Sequence, residues 1–274
     1  MRIALLANLD LHSNYGVNLL RDALAGHEVA LFLSEKVGGA QPVVVPELAA
    51  LGALEQDLPA RILWPLAEAA GRPGEARFLP FPQIAAELGG TCEKLPKPNS
   101  PESLERMRRF APDLVISLRY GRILKEQFLA IPPLGVLNLH SGRLPWYRGI
   151  LATLRALIHG DDILGPTVHW ITDGTIDTGP IVGITEVPVR PGRSLLEHIL
   201  SVYPPGVELL KSALERLARG EAVPGAPQNP QEGGYYGFPG AAEFAALAAK
   251  GFPLYDPAEY VRFLEGWVPG GDVR

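Results

Sequence analysis

Asn138 and His140 stand two residues apart in the run Val136-Leu-Asn-Leu-His140. A strand has a side-chain period of two, so the carboxamide and the imidazole project from one face at the strand's carboxyl end. Ligands of open α/β sheets bind outside the carboxyl ends of the strands. There an amide can donate to a developing oxyanion while an imidazole takes or gives a proton. The pair alone leaves a second reading open, a polar strand end with a hydrogen-bonded Asn and a core His. A second cluster, Thr167-Val-His169-Trp-Ile-Thr-Asp173-Gly-Thr-Ile-Asp177-Thr-Gly179, reads as a strand followed by a loop with two carboxylates. Asp and Gly are residues that turns favour. A carboxylate brought beside an imidazole between two strand ends would instead form an acid–base couple. His169, next to Trp170, reads as a supporting or core group, with a catalytic role as the alternative. Arg143 and Arg148 flank Pro145-Trp-Tyr147 and could grip a phosphate or lie over the rings. His140, His169 and Asp177 lack any metal-ligand spacing, so no metal is expected.

The elements that must position these groups follow an α/β pattern. Arg2 to Ala7 reads as a buried strand, Asn8 to Asn14 as a polar turn, Val17 to Ala25 as a helix and His27 to Leu33 as a second strand. Strand, helix and strand in succession is the unit of a parallel sheet. Residues 38 to 98 carry nine prolines, Pro42 and Pro73 among them, which leaves only short elements. Helices are expected at Glu47–Gln56 and Ile84–Leu88, and short strands near Ile62–Trp64 and Phe78–Leu79. Ser100 followed by Pro101 opens a helix through Phe110. Strands are expected at Leu114–Leu118, Gly135–Leu139, Thr167–Ile171 and Ile181–Val189, with a helix at Thr153–His159. Ser194-Leu-Leu-Glu197 has the capping-box pattern, and its helix is interrupted at Pro204-Pro205. Residues 1–220 form the expected catalytic domain. Residues 221–274, with helices near Ala241–Ala249 and Pro257–Glu265, form a C-terminal extension too short to hold its own core.

Composition narrows the classes of function. The 274 residues carry 25 Lys+Arg against 30 Asp+Glu, a net charge of −5, which favours neither a nucleic-acid groove nor an anionic membrane surface. One cysteine, Cys92, excludes an intrachain disulfide framework and a multi-thiolate zinc site. The opening MRIALLANLD is too short in apolar residues for a signal peptide, so a cytoplasmic location is expected.

Asn138-x-His140, Leu144-Pro-x-Tyr-Arg-Gly149, Gly160-Asp161 and Asp173-Gly-Thr-Ile-Asp177-Thr-Gly179, in this order, resemble the folate-dependent formyltransferase family. Tyr120-Gly-Arg-Ile-Leu124 agrees, and the resemblance weakens over residues 1 to 100. It implies a Rossmann-like domain with a mostly parallel sheet, using 10-formyltetrahydrofolate as co-substrate, with Asn138, His140 and Asp177 as the catalytic trio. Asn138 and protonated His140 would hold the oxyanion, and Asp177 would keep His140 charged. The pterin would meet backbone around Leu118, Arg119 and Tyr120 and around Thr172, Asp173 and Asp177. The side chains of Arg122 and Ile123 would lie beside it. Arg148 and Tyr147 would meet the acceptor.

Departures from the family pattern bear on that acceptor. The loop Asn8 to Gly16 lacks the glycine-serine run that cradles phosphate in glycinamide ribonucleotide formyltransferases. From residue 205 onward six Lys+Arg face nine Asp+Glu, in a segment too short for the tRNA-holding barrel of methionyl-tRNA formyltransferases. The expected acceptor is therefore a small-molecule amine such as an amino sugar nucleotide, with tRNA disfavoured. Water as acceptor would make the protein a 10-formyltetrahydrofolate hydrolase, and folate binding without turnover would make it a pseudoenzyme. A homodimer stays open.

Overall fold

Apolar residues fill the strand Arg2–Asn8 (β1) and its neighbours because both of their faces are covered. The computed structural model describes residues 1–35, 45–69 and 76–268; Pro42, Pro73 and the last six residues of the tail lie outside them. After β1 come α1 (Leu11–Leu24), β2 (Glu28–Ser34), α2 (Pro46–Gly52), α3 (Trp64–Ala69), α4 (Phe81–Glu87) and β3 (Thr91–Lys94). They are followed by α5 (Pro101–Phe110), β4 (Leu114–Leu118), α6 (Glu126–Leu129), β5 (Val136–His140), β6 (Tyr147–Gly149) and α7 (Ala152–His159). Next are β7 (Ile163–Leu164), β8 (Thr167–Ile171), β9 (Ile181–Ile184), β10 (Val187–Pro188), α8 (Leu195–Ser201) and α9 (Tyr203–Ala218). The tail holds β11 (Gly234–Tyr236), α10 (Ala241–Ala249) and α11 (Pro257–Leu264).

Seven strands form one sheet in the order β3-β2-β1-β4-β5-β8-β9. The pairs from β3 to β5 are parallel, whereas β5–β8 and β8–β9 are antiparallel. The sheet is thus mostly parallel, as expected. Its direction of winding reverses between β1 and β4, where the carboxyl ends of the strands open a crevice. Ile3, Leu5 and Ala7 face one core cluster, and Ala4 and Leu6 face another on the opposite side.

Several elements differ from the sequence expectations. Helix α1 begins at Leu11, not at Val17, because the Asp10 side chain accepts from Ser13 N at 2.7 Å and caps it. Ile62–Trp64 is helical. Between α2 and α3 run two π-helical turns, Ala53–Asp57 and Pro59–Leu63, and an apolar run as short as Ile62–Trp64 does not distinguish strand from buried helix by its period. Phe78–Leu79 joins no strand either. Phe78 N donates to Gly266 O at 2.8 Å, and Leu79 N donates to Asn18 Oδ1 at 2.7 Å. Edge strand β3 was not expected, since Thr91–Lys94 is short and mostly exposed. The single strand expected over Ile181–Val189 is split into β9 and β10.

The tail returns to the body of the molecule. Trp267 is fully buried, packs on Phe78 at 4.8 Å between ring centroids and donates from Nε1 to Asn14 Oδ1 at 2.8 Å. Tyr260 OH donates to Leu54 O at 2.7 Å. Among the described residues no helix is long and apolar enough to cross a membrane. Trp267→Ala should cost about 3–5 kcal/mol of stability through the cavity it leaves. A denaturant titration checks this, and an unchanged midpoint would show that the tail adds nothing to the fold.

Candidate active site

Antiparallel pairing of β5 with β8 sets Asn138 opposite His169, and Asn138 Nδ2 lies 3.0 Å from His169 Nε2. The other nitrogen of His169 donates to Trp170 O at 3.0 Å, which leaves Nε2 to meet Asn138 and the loop beyond β8. His140 ends β5, and its Nε2 donates to Tyr147 O at 2.7 Å. Its Nδ1 therefore faces inward, 3.5 Å from Asp177 Oδ2. The second oxygen of Asp177 lies 3.5 Å from His169 Nε2. Gly149 N donates to Asp177 Oδ2 at 2.9 Å. The structure thus brings Asn138, His140 and Asp177 together from separate stretches of chain, with His169 between the amide and the carboxylate.

The Asp177 side chain is 12% exposed. Burial pushes its pKa up, but the two imidazoles and the Gly149 amide outweigh burial and bring it down to about 2. It is a fixed anion at neutral pH. Its φ of +56° lies in the left-handed region, uncommon for a residue with a Cβ. Two glycines make its approach possible. A Cβ on Gly149 would stand 2.2 Å from Tyr236 O, and one on Gly179 would stand 1.8 Å from Trp170 O. Gln228 Nε2 donates to Asp177 O at 3.0 Å and to Gly179 O, so the tail braces the loop from outside. Sequence reasoning left Gln228 without a role in the site, because no spacing relates it to Asp177.

The residues expected to face the folate form two stretches on the same side. Leu118 ends β4 and is buried, as is Tyr120, whose hydroxyl donates to Leu95 O. The Arg119 side chain points away into a buried ion cluster with Asp10 and Glu55. Arg122 Nε is buried with no hydrogen-bond partner, and Ile123 is exposed. Across from them a Cβ on Gly174 would stand 3.7 Å from Ile123 Cγ2, so the two loops meet there. Thr172 and Asp173 are exposed. Asp173 Oδ1 accepts from Thr175 N at 2.7 Å, which is the turn-forming role its residue type suggested. An orphaned guanidinium nitrogen beside an exposed loop backbone suits the carbonyl and ring nitrogens of a pterin.

On the acceptor side the two expected residues part company. Tyr147 is buried and its hydroxyl donates to Asp161 Oδ2 at 2.8 Å, so its ring belongs to the core and offers no surface to a substrate. Arg148 is partly exposed and pairs in register with Tyr235 of β11. Trp146 and Tyr235 are 47% and 54% exposed, and the Tyr235 ring reaches within 3.0 Å of the Cβ position of Gly149. Among the described residues no group of His, Cys, Asp and Glu could hold a metal ion.

The paired carboxylate has a measurable signature. A carboxylate whose folded pKa lies below its unfolded value of about 4 adds stability above that pH and loses it as pH falls. Wild-type protein should therefore lose melting temperature faster than Asp177→Asn as pH drops from about 4 toward about 2. Parallel melting curves for the two proteins across that window would show that the carboxylate is not so paired.

Known proteins resemble this chain in sequence and in fold. Residues 77–211 match the family profile described as formyl transferase. A methionyl-tRNA formyltransferase of Thermobifida fusca is 36% identical over 186 residues, covering 68% of this chain and 59% of that protein. The enzyme of the same description from Salinispora tropica is 36% identical over 184 residues, 67% of this chain and 59% of its own. The chain thus spans about three fifths of the length of these relatives. The fold is shared with glycinamide ribonucleotide transformylase 1 of Symbiobacterium toebii, at TM-score 0.57 and 19% identity over 84% of this chain and 94% of that one. It is shared too with a sugar N-formyltransferase of Shewanella sp FDAARGOS_354, at TM-score 0.55 and 16% identity over 91% and 87%. Through residues 77–211 the chain belongs to the formyltransferase family, and its sheet has the fold of the solved formyltransferases.

Proposed function

We propose that the protein transfers a formyl group from 10-formyltetrahydrofolate to the primary amine of a small molecule, an amino sugar carried on a nucleotide being the favoured acceptor. The observation that supports this reading is the convergence of Asn138, His140 and Asp177 on one point. The donor supplies an activated formyl carbon, and the residues of the chain do the rest. As the amine adds to that carbon, Asn138 Nδ2 donates to the oxygen on which charge builds. His140 uses Nδ1, since Nε2 is engaged by Tyr147 O. Asp177, kept ionised, faces Nδ1 and steadies the proton while it passes from the amine to the departing folate nitrogen as the bond between that nitrogen and the formyl carbon breaks. His169 keeps Asn138 and Asp177 in place by touching both. In this reading residues 1–220 are the catalytic unit and residues 221–274 an extension that braces the site through Gln228.

Two features favour a small amine. The Trp146–Arg148–Tyr235 face beside Asp177 offers exposed rings to a sugar or base. The amino end of α1 already holds the Asp10 carboxylate, so the place where a helix would grip a free phosphate is taken. A neighbour from Helicobacter canadensis, at TM-score 0.53 and 16% identity, is described in complex with folinic acid and dTDP-3-aminofucose. Methionyl-tRNA is the second reading, favoured by the names of the relatives at 36% identity. The excess of acid over base after residue 205 opposes it.

The deciding assay gives the donor to a panel of amino sugar nucleotides, glycinamide ribonucleotide and methionyl-tRNA, following tetrahydrofolate by absorbance. Turnover with an amino sugar nucleotide is expected; label on tRNA, or formate released without any amine, would replace this reading by the transfer to tRNA or by the hydrolase. Asn138→Ala should cost on the order of 10²–10³ in kcat, and His140→Ala at least as much; near-normal rates would remove these groups from the mechanism. Tyr235→Ala should raise the acceptor KM about 5- to 10-fold, with the donor KM unchanged. An unchanged acceptor KM would take the ring out of the acceptor site.

A further inference from the structure

On the β1 side of the crevice lies a second set of buried charges that the formyl-transfer chemistry does not use. Arg119 Nη2 sits 2.8 Å from Glu55 Oε2 and 3.3 Å from Asp10 Oδ2. The Asp10 side chain is fully buried and also accepts from Asn8 Nδ2 at 2.6 Å and from Ser13 N at 2.7 Å. Glu55 comes from the π-helical turn Ala53–Asp57 and is its buried residue. His12, fully buried, lies 3.6 Å from Glu55 Oε1. The three charged groups therefore arrive from the β1–α1 junction, the helical stretch after α2 and the end of β4.

Arg119 itself has a φ of +54°, in the left-handed region where glycine is at ease and arginine is not. Its neighbours in the turn are held on both sides. Ser13 Oγ donates to Leu118 O at 3.4 Å, and Ser34 Oγ donates to Tyr120 O. Asn99 Nδ2 donates to Ile123 O at 2.8 Å, and Lys125 N donates to Asn99 Oδ1 at 2.8 Å, fixing the far end. What remains outward is the side chain of Ile123, which with the Leu124 backbone meets the Gly174 loop.

We propose that Arg119 is a positioning residue for the folate donor: its guanidinium, clamped by Asp10 and Glu55, locks the turn after β4 in the shape that receives the pterin. This rests on the formyl-transfer reading above. The guanidinium does not touch the donor. It sets the left-handed turn that aims the 120–124 backbone. Burial alone would disfavour its charge, but the two carboxylates raise its pKa and keep it a cation. Loss of the clamp frees the turn and weakens donor binding, while Asn138, His140 and Asp177, held by other partners, keep their chemistry.

The test compares wild type, Arg119→Met, Arg119→Lys, Glu55→Gln and the double variant Arg119→Met/Glu55→Gln in the full chain. Binding of 5-formyltetrahydrofolate is read by calorimetry, alongside steady-state kinetics and thermal melting. Arg119→Met should raise the Kd and the donor KM about 10-fold or more, with kcat at saturation and the acceptor KM held. Arg119→Lys, which keeps the charge but not the fork, should fall between it and wild type. The double variant removes one charge of each sign and should bind the donor no worse than Arg119→Met, because the pair acts as a unit. Should Arg119→Met not fold, the double variant and Glu55→Gln carry the same comparison. Wild-type donor affinity in a folded variant lacking the clamp, or a fall in kcat matching the rise in KM, overturns the proposal. Failure of wild type itself to bind 5-formyltetrahydrofolate would overturn the formyl-transfer reading instead.

Discussion

One buried anion organises the candidate site. Asp177 takes a backbone N–H from Gly149 and faces the imidazoles of His140 and His169, and these partners compensate for taking its charge out of water. Each partner is delivered by a different element: Gly149 by β6, His140 by the end of β5 and His169 by β8. The constraint works in both directions. The carboxylate pulls three elements to one point, and its left-handed backbone can be held only because Gln228 and the two flanking glycine contacts leave the loop no other course.

The crevice where the sheet changes direction carries two sets of buried charges with opposite characters. Around Asp177 both imidazole contacts are 3.5 Å, at the outer limit of a hydrogen bond, so the rings are faced by the carboxylate without being clamped to it. Asp10 is held at 2.6 Å by Asn8 Nδ2 and at 2.7 Å by Ser13 N, and Glu55 at 2.8 Å by the Arg119 guanidinium, which does not give up its proton. The first arrangement suits proton traffic. The second suits rigidity, which a site needs when its donor is to be gripped by loop backbone rather than by charged side chains.

Strands β1, β2, β4, β5 and β8 were legible because each is a short apolar run bounded by polar or glycine residues, and Ser100-Pro101 and Ser194 announced their helices. Asn138 and His140 were legible for a simpler reason, the period of two. Their meeting with Asp177 was not, since nothing in the spacing of two stretches of chain shows that β5 and β8 are neighbours; only the family motifs implied it. The amino end of α1 was misread because His12, Ser13 and Asn14 are polar yet fully buried, and their partners, such as Trp267, lie far along the chain. Glu55 and Arg119 stayed hidden for the same reason. A buried ion pair between residues 64 positions apart leaves no periodic trace.

The tail turns a shared fold into a particular active site. Parallel pairing of β11 with β6 sets Tyr235 beside Arg148, and the Arg155 guanidinium stands over the Tyr236 ring while bonding Glu243 of α10 at 2.8 Å. These contacts tie the strand that carries Gly149 to residues beyond 220, and Gly149 in turn holds Asp177. A change in the tail therefore reaches the carboxylate by two routes, through β6 and the Gly149 N–H and through the Gln228 amide on the Asp177 loop. The core sheet carries the groups that the proposed transfer would use, while the surface an acceptor would meet is built from residues whose positions the tail sets. A family fold can in this way keep one chemistry and change its acceptor by altering what lies outside the sheet.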